Sequence, residues 1–403
     1  MTYRILLLLA LCGVPVRALA DCSLTEIGVT PLSDLGGDGD YQGFDGGLYG
    51  GGANEAPDAH RCAALEAARA IAPIDGAIVM ISVGMSNTTQ EFSVFVTDVG
   101  ARGDLRAELV VVDGAQGARP ANVWANPDDA VWVEVDRRLG VAGVSPDQVQ
   151  IAWIKQAEPG PANLGDFPDH AEVLQGDLEA IARNLMTHYP NIRFAYWSSR
   201  TRAYTNERFG LNPEPFAFES AFSVRWMLER QMAGDADLAF GGDAAVAPLL
   251  LWGPYLWADG TTPRDDGFTW ECSDTVDDFT HPSPTGRQKV ADLLMDFFTT
   301  HPTTTPWFLG VDVGDVACDG GGDADTDTDS DSDTDADSDA DTDADADADA
   351  DADTDADADT DADADADGGT ASDGGCGCRT IPKNDVAWAI LLAPLFALSR
   401  RRR

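Results

Sequence analysis

The segment from Ala77 to Phe92 constrains the fold more than any other. Residues 78–83 (Ile-Val-Met-Ile-Ser-Val) are short, β-branched or apolar nearly throughout, as a strand buried on both faces of a parallel sheet requires. The run breaks at Gly84, and Phe92, Phe95, Val96 and Val99 then recur at helical spacing. A buried strand followed at once by an amphipathic helix commits this region to a crossover unit, and a crossover unit needs a sheet with helices laid on it. Ser86 sits in the turn. A hydroxyl at or next to the N-cap can simply satisfy an orphan amide of the helix. Alternatively, Ser86 is a nucleophile at the carboxyl end of the first sheet strand, where open α/β folds bind their ligands. Amides at the helix start would then face any oxyanion formed there.

The rest of the chain repeats the alternation. Further strands are predicted at 109–112, 149–153, 193–197 and 249–252, and helices at 63–71, 87–100, 127–139, 171–187, 216–232 and 285–299. The last helix is announced by Ser283-Pro284, a cap residue followed by proline at the first helical position. Strands alternating with helices predict an α/β fold, with a five-stranded parallel sheet between two helical layers. Long stretches at 21–60, 198–215 and 253–282 fall outside these elements, and a specificity surface would be built there.

Composition sets the outer limits of the packed part. From Asp323 to Asp367 every second residue is Asp, 23 in all, and these carboxylates supply about half of the formal charge of −44. Such a segment buries nothing and repels itself, so 319–373 is expected to be a disordered acidic stalk. The remaining excess is also acidic, which makes nucleic acid and anionic lipid headgroups poor partners. A calcium-binding array is a poor reading of the repeat, because it lacks the regularly placed glycines of specific calcium loops.

At the other end, Arg4, the apolar run Ile5 to Leu11 and Ala18-Leu-Ala20 make a secretory signal over residues 1–20, with the mature chain starting at Asp21. A lipoprotein signal ending at Cys22 is the alternative, which Asp21 disfavours. Six cysteines remain after the signal, in a compartment where bridges form. Cys22, Cys62, Cys272 and Cys318 flank the presumed domain at 21–318 and allow three connectivities. Pairing Cys22 with Cys62 and Cys272 with Cys318 is the most local of them. The cysteine spacings do not form a paired CxxC zinc arrangement and no HExxH occurs, so neither a metal nor a cofactor is expected.

Serine-based ester hydrolysis needs a base within reach of the hydroxyl, a group that orients the base, and donors for the oxyanion. Among the five histidines, His281 alone has an acid three residues before it, in Asp278-Phe-Thr-His281, and it lies in the loop between the last strand and the last helix. A carboxylate three positions back in a turn can fix the imidazole in one tautomer while the other nitrogen faces a serine.

The order of these pieces resembles the SGNH (GDSL-like) hydrolase family over roughly residues 77–300. The first block reads Gly84-Met85-Ser86-Asn87, where the family has Gly-Asp-Ser, and the last block is kept as Asp278 and His281. Val112-Asp-Gly-Ala-Gln-Gly117 is similar to the second block, with Gly117 the better match to the oxyanion glycine and Gly114 the next. Where the third block carries asparagine the chain reads Ile154-Lys155-Gln156-Ala157, so Gln156, or else Lys155, replaces that donor. The resemblance implies a flavodoxin-like three-layer fold and a Ser86–His281–Asp278 triad. It also implies an oxyanion hole formed by the amides of Ser86 and Gly117 with Gln156.

Gly374-Gly-Cys-Gly-Cys378, the apolar stretch from Val386 to Ser399 and Arg400-Arg-Arg-Arg403 resemble the MYXO-CTERM sorting tail. That likeness implies processing near Cys376 and Cys378 and a protein held at the cell surface or outer membrane through residues 374–403. Fourteen apolar residues are short for a spanning helix, so membrane contact is expected only through this tail.

For substrate recognition, Trp252, Tyr255 and Trp257 follow the last strand on the side where Ser86 should open, and Ser199-Arg200 follows the fourth. Flat aromatic walls suit sugar rings, so acyl or acetyl esters on carbohydrate are the expected substrates. The plainer alternative puts these indoles, with Trp124 and Trp270, in the core, and reads Glu214 and Glu219 as helix-start charges complementing the dipole. A catalytically impaired carbohydrate-binding or adhesive surface protein on the same fold is the rival reading.

Overall fold

The computed structural model describes residues 22–311 apart from residue 209, together with Cys318. The signal peptide, the acidic stalk and the sorting tail read from the sequence lie outside the described residues.

The elements run α1 (Asp58–Arg69), β1 (Ile78–Gly84), α2 (Ser86–Ala101), β2 (Leu109–Val112), α3 (Ala121–Trp124), α4 (Ala130–Val141), β3 (Val149–Lys155), α5 (Asp169–His188), β4 (Phe194–Ser198), α6 (Phe216–Met232), β5 (Leu249–Trp252), α7 (Pro284–Thr300) and α8 (Thr305–Phe308). The five strands form one sheet in the order β2-β1-β3-β4-β5, and every neighbouring pair is parallel. The chain therefore steps from β1 outward to β2 and then back across to β3, which puts the topological switch point between β1 and β3.

Alternating side chains of each strand feed two cores. Val79, Ile81, Val83, Ala152, Ile154, Ala195 and Trp197 pack with α3 to α6 on one face. Ile78, Met80, Ile151, Trp153, Phe194 and Tyr196 pack with α1, α2, α7 and α8 on the other. That two-sided burial is why β1, β3 and β4 read as unbroken apolar runs. The exposed row of an edge strand is a liability, and side chains close it at β5. There the Gln231 carboxamide oxygen accepts from Leu250 N at 2.8 Å, and His60 Nε2 lies 2.8 Å from Leu250 O.

Element ends differ from the sequence expectation where local chemistry decides them. α1 begins at Asp58, after Pro57, rather than at 63. α4 begins at Ala130 because Asp129 caps it, its carboxylate accepting from Val131 N at 3.1 Å. Ser283 caps α7 by accepting from Gly286 N, with Pro284 in the first position, as the sequence predicts.

The local cysteine pairing is overturned, since Cys22 bonds Cys272 and Cys62 bonds Cys318. The N-terminal segment crosses to the loop after β5, where the Asp259 carboxylate accepts from Ile27, Gly28 and Val29 amides and the Arg202 guanidinium donates to both Asp259 and Leu24 O. This brings Cys22 to Cys272. No helix of the described residues is long and apolar enough to cross a membrane.

Candidate active site

β1 ends at Gly84, and the chain turns there in a space that admits no side chain. A Cβ on Gly84 would lie 2.2 Å from Thr88 Oγ1 and 2.6 Å from Lys155 O. Met85, extended at φ −92° and ψ −164°, is the N-cap of α2, so Ser86 is its first residue. The capping reading of the serine does not hold, because its hydroxyl is engaged elsewhere. Ser86 Oγ lies 2.6 Å from His281 Nε2.

The imidazole is held from behind by its own turn. Asp278 Oδ1 accepts from the Thr280 amide at 3.0 Å and the His281 amide at 2.8 Å, while Oδ2 lies 2.6 Å from His281 Nδ1. Partial burial pushes the Asp278 carboxyl up, but these donors outweigh it and hold it below the usual value. An ionised carboxylate is an acceptor only, so it places the imidazole proton on Nδ1 and leaves Nε2 to accept from the serine hydroxyl. The turn is fixed to its surroundings. Phe279 adopts a left-handed φ of 59°, and its carbonyl accepts from the Tyr204 and Thr205 amides. Asn87, next to Ser86, donates its carboxamide to Thr280 O at 2.9 Å, so the first turn of α2 and the histidine loop are tied directly.

The loop after β2 runs beside the serine. A Cβ on Gly117 would sit 3.9 Å from Ser86 Cβ, whereas one on Gly114 would sit 2.5 Å from Ser82 O in β1. Of the two candidate glycines, Gly117 is the one next to Ser86, and Gly114 serves close packing of the loop on the strand. Asp113 anchors this loop by accepting from Ser82 Oγ at 2.7 Å and from the Thr89 hydroxyl. The Gln116 amide donates to Gly84 O at 2.9 Å.

At the end of β3 the two candidate replacements for the family asparagine separate. Lys155 is fully buried and its ammonium is paired with Glu91, so it is not an oxyanion donor. Gln156 is 3 % exposed, with Nε2 at 3.5 Å from Arg119 O and Oε1 without a partner.

The aromatic wall is also overturned. Trp252, Tyr255 and Trp257 are buried in the core with Trp124 and Trp270. The Trp252 indole donates to Leu48 O, Tyr255 OH accepts from Leu32 N at 3.1 Å, and the Trp257 indole donates to Glu214 at 3.0 Å. The first two rings thus pack against the N-terminal segment, and Trp257 packs edge-on against Phe218 of α6. Arg200 is likewise only 2 % exposed, and burial lowers its basicity. Glu214 is spent on the Ala203 amide, the Phe218 amide at the start of α6 and the Trp257 indole, and Glu219 on Tyr41 OH and His170.

Asn87 and Asp113 lie inside the motif blocks without an expected role and Glu91 lies outside them, yet each holds a piece of the site. The signal for Glu91 is its spacing, since 88, 91 and 95 follow the buried stripe of α2 and a carboxylate in that stripe needs a partner. Among the described residues no group of His, Cys, Asp and Glu could hold a metal ion.

No protein-family model matches the chain, and no curated relative does. Several solved structures are similar over part of it. A protein described as a candidate acylhydrolase of Bacteroides fragilis is 11 % identical with a TM-score of 0.34, over 60 % of this chain and 96 % of that one. A gut microbial diltiazem-metabolizing enzyme is 12 % identical with a TM-score of 0.30, over 57 % of this chain and 48 % of that one. At these scores neither likeness carries an argument about what this chain does.

Proposed function

We propose that the chain is a serine ester hydrolase of the SGNH type, secreted and tethered at the cell surface. The observation that carries the catalytic part is the relay of Ser86 Oγ, His281 and Asp278, with 2.6 Å at each step. In the reaction, His281 Nε2 takes the Ser86 proton as the oxygen attacks the acyl carbon. Asp278 stays ionised and stabilises the imidazolium. The amides of Ser86 and Gly117 receive the oxyanion at the positive end of α2, with the Gln156 carboxamide as the further donor once it leaves Arg119 O. His281 then protonates the leaving alcohol, and a water activated by the same nitrogen releases the acid from Ser86.

With the aromatic rings in the core, little is left to favour carbohydrate over other alcohols, and the substrate class is best stated as acyl esters. Secretion rests on the sequence of residues 1–20, and tethering on residues 374–403. A fluorophosphonate probe is expected to label the folded protein at Ser86 and not to label Ser86→Ala. Folded wild type that takes no label, or label that survives Ser86→Ala, rejects the reading in favour of a non-catalytic surface protein.

A further inference from the structure

The end of β3 carries a set of buried charges that the proposed reaction does not use. Alternation along the strand puts Lys155 on the same face as Ile151 and Trp153, the face that α2 covers. Its ammonium pairs with Glu91 of α2, and neither side chain is exposed. Lys155 O accepts from Thr88 Oγ1 at 2.8 Å, one turn earlier on the same helix. The last residue of β3 thus grips α2 at two successive turns, and Gly84 gives that grip its clearance. Ser86 lies five residues before Glu91, about 7.5 Å along the helix axis.

A second cation stands behind the pair. In the sheet Lys155 is opposite both Gly84 and Ser198, and Arg200 follows Ser198 by two residues. Its Nε and Nη1 are buried without partners, as is the free oxygen of Glu91. The charged groups acting here are therefore Glu91 from α2, Lys155 from β3, Arg200 from the loop after β4, and Glu214, which acts on Arg200 from before α6.

We propose that the buried Lys155–Glu91 pair is the strap that keeps the first turn of α2, and with it Ser86, in register with His281. Lys155 and Glu91 are then positioning residues. The inference rests on reading Ser86 as the nucleophile. Asn87 transmits the same constraint to the histidine loop through Thr280 O, so a tilt of this turn changes the approach of Ser86 Oγ to Nε2. Loss of the Lys155 charge removes the Coulombic part of the strap.

Burial pulls Lys155 down from 10.5 to about 8, with Glu91 opposing and Arg200 adding to the fall. Between those values the unfolded chain holds more protons than the folded one, so this group makes global stability rise with pH, not fall. Activity that drops above about pH 8 while the unfolding temperature holds is therefore the signature of a local release.

Lys155→Met alone leaves Glu91 buried without its ion-pair partner, with only the unbonded Arg200 near it, and is expected to fold poorly. The informative variant is Lys155→Met with Glu91→Met, which removes both charges at similar volume. It is expected to fold, to lose at least about tenfold in kcat on 4-nitrophenyl acetate with KM within about twofold, and to show no alkaline fall. Amides 86–92 should exchange hydrogen faster than in wild type. A double variant with wild-type kcat, alkaline limb and amide exchange overturns the strap. Wild type that takes no fluorophosphonate label rejects the hydrolase reading instead. The exchange measurement still decides the strap in that case, because unchanged protection refutes it.

Discussion

Asp278→Asn separates the chemistry of the histidine loop from its folding. In wild type one oxygen of Asp278 accepts two backbone amides and the other faces His281 Nδ1. Asparagine keeps an oxygen for the Thr280 and His281 amides, so the turn retains its internal bonds and stability should change by about 1 kcal/mol or less. Its amide group, however, points N–H at Nδ1. Nδ1 must then accept, the ring proton moves to Nε2, and Ser86 Oγ meets a donor instead of a base. The equivalent loss in a serine triad costs about 10⁴ in rate, or about 5.5 kcal/mol at 1.36 kcal/mol per decade. The assay is kcat/KM on 4-nitrophenyl acetate, with the unfolding temperature measured on the same sample. A variant that keeps a tenth or more of wild-type kcat/KM at unchanged stability refutes the assignment of Asp278 as the orienting acid. In that event the 2.6 Å contact is only a turn-forming bond.

Three further substitutions test the surroundings. Gly117→Ala adds a methyl in ordinary contact with Ser86 Cβ and leaves the amide in place, so folding stability is expected to hold. Gly114→Ala drives a carbon to 2.5 Å from Ser82 O and should cost about 1–3 kcal/mol in chemical denaturation; equal stabilities contradict the packing argument. Glu214 is half-buried, and this burial pushes it up from 4.5 to about 7 against the bonds from Trp257 and Ala203. Because the folded value is the raised one, its contribution is present below pH 4.5 and is lost as pH rises to about 7, a dependence of roughly 3 kcal/mol. Glu214→Gln should flatten the stability profile across that window, and a profile of unchanged slope refutes the assignment.

The sheet was legible because its central strands are buried on both faces, and such strands carry an unbroken signal. Predicted and observed strands agree within two residues at every end. α3 and α8 gave no signal, since four residues do not complete a helical period. Which of the three disulfide connectivities forms is not legible for another reason. Connectivity follows the path of the chain across the sheet, and that path depends on Asp259 collecting three amides from the N-terminal segment, a contact no spacing encodes. The aromatic wall failed on orientation. Position after β5 was right for Trp252, Tyr255 and Trp257, but each polar tip has an interior partner in reach, and a ring with both its apolar body and its polar tip satisfied stays inside.

The residues that hold the site in place form a different class, and they break the pattern around them. Lys155 ends a strand of buried residues, Glu91 sits in the apolar stripe of α2, and Asp113 follows three valines. Burying a charge costs several kcal/mol unless it is paired. A charged residue at a position where periodicity demands an apolar one therefore implies a partner from another element, and a precise distance between the two. Pairing the violations by sheet register is then enough to find them. Lys155 and Gly84 are opposite each other, α2 springs from Gly84, and Glu91 is the buried carboxylate on its inner face. Motifs name the groups proposed to react. The out-of-place charges mark the contacts that fix where those groups stand, which is why removing Lys155 and Glu91 together should lower kcat while sparing the fold.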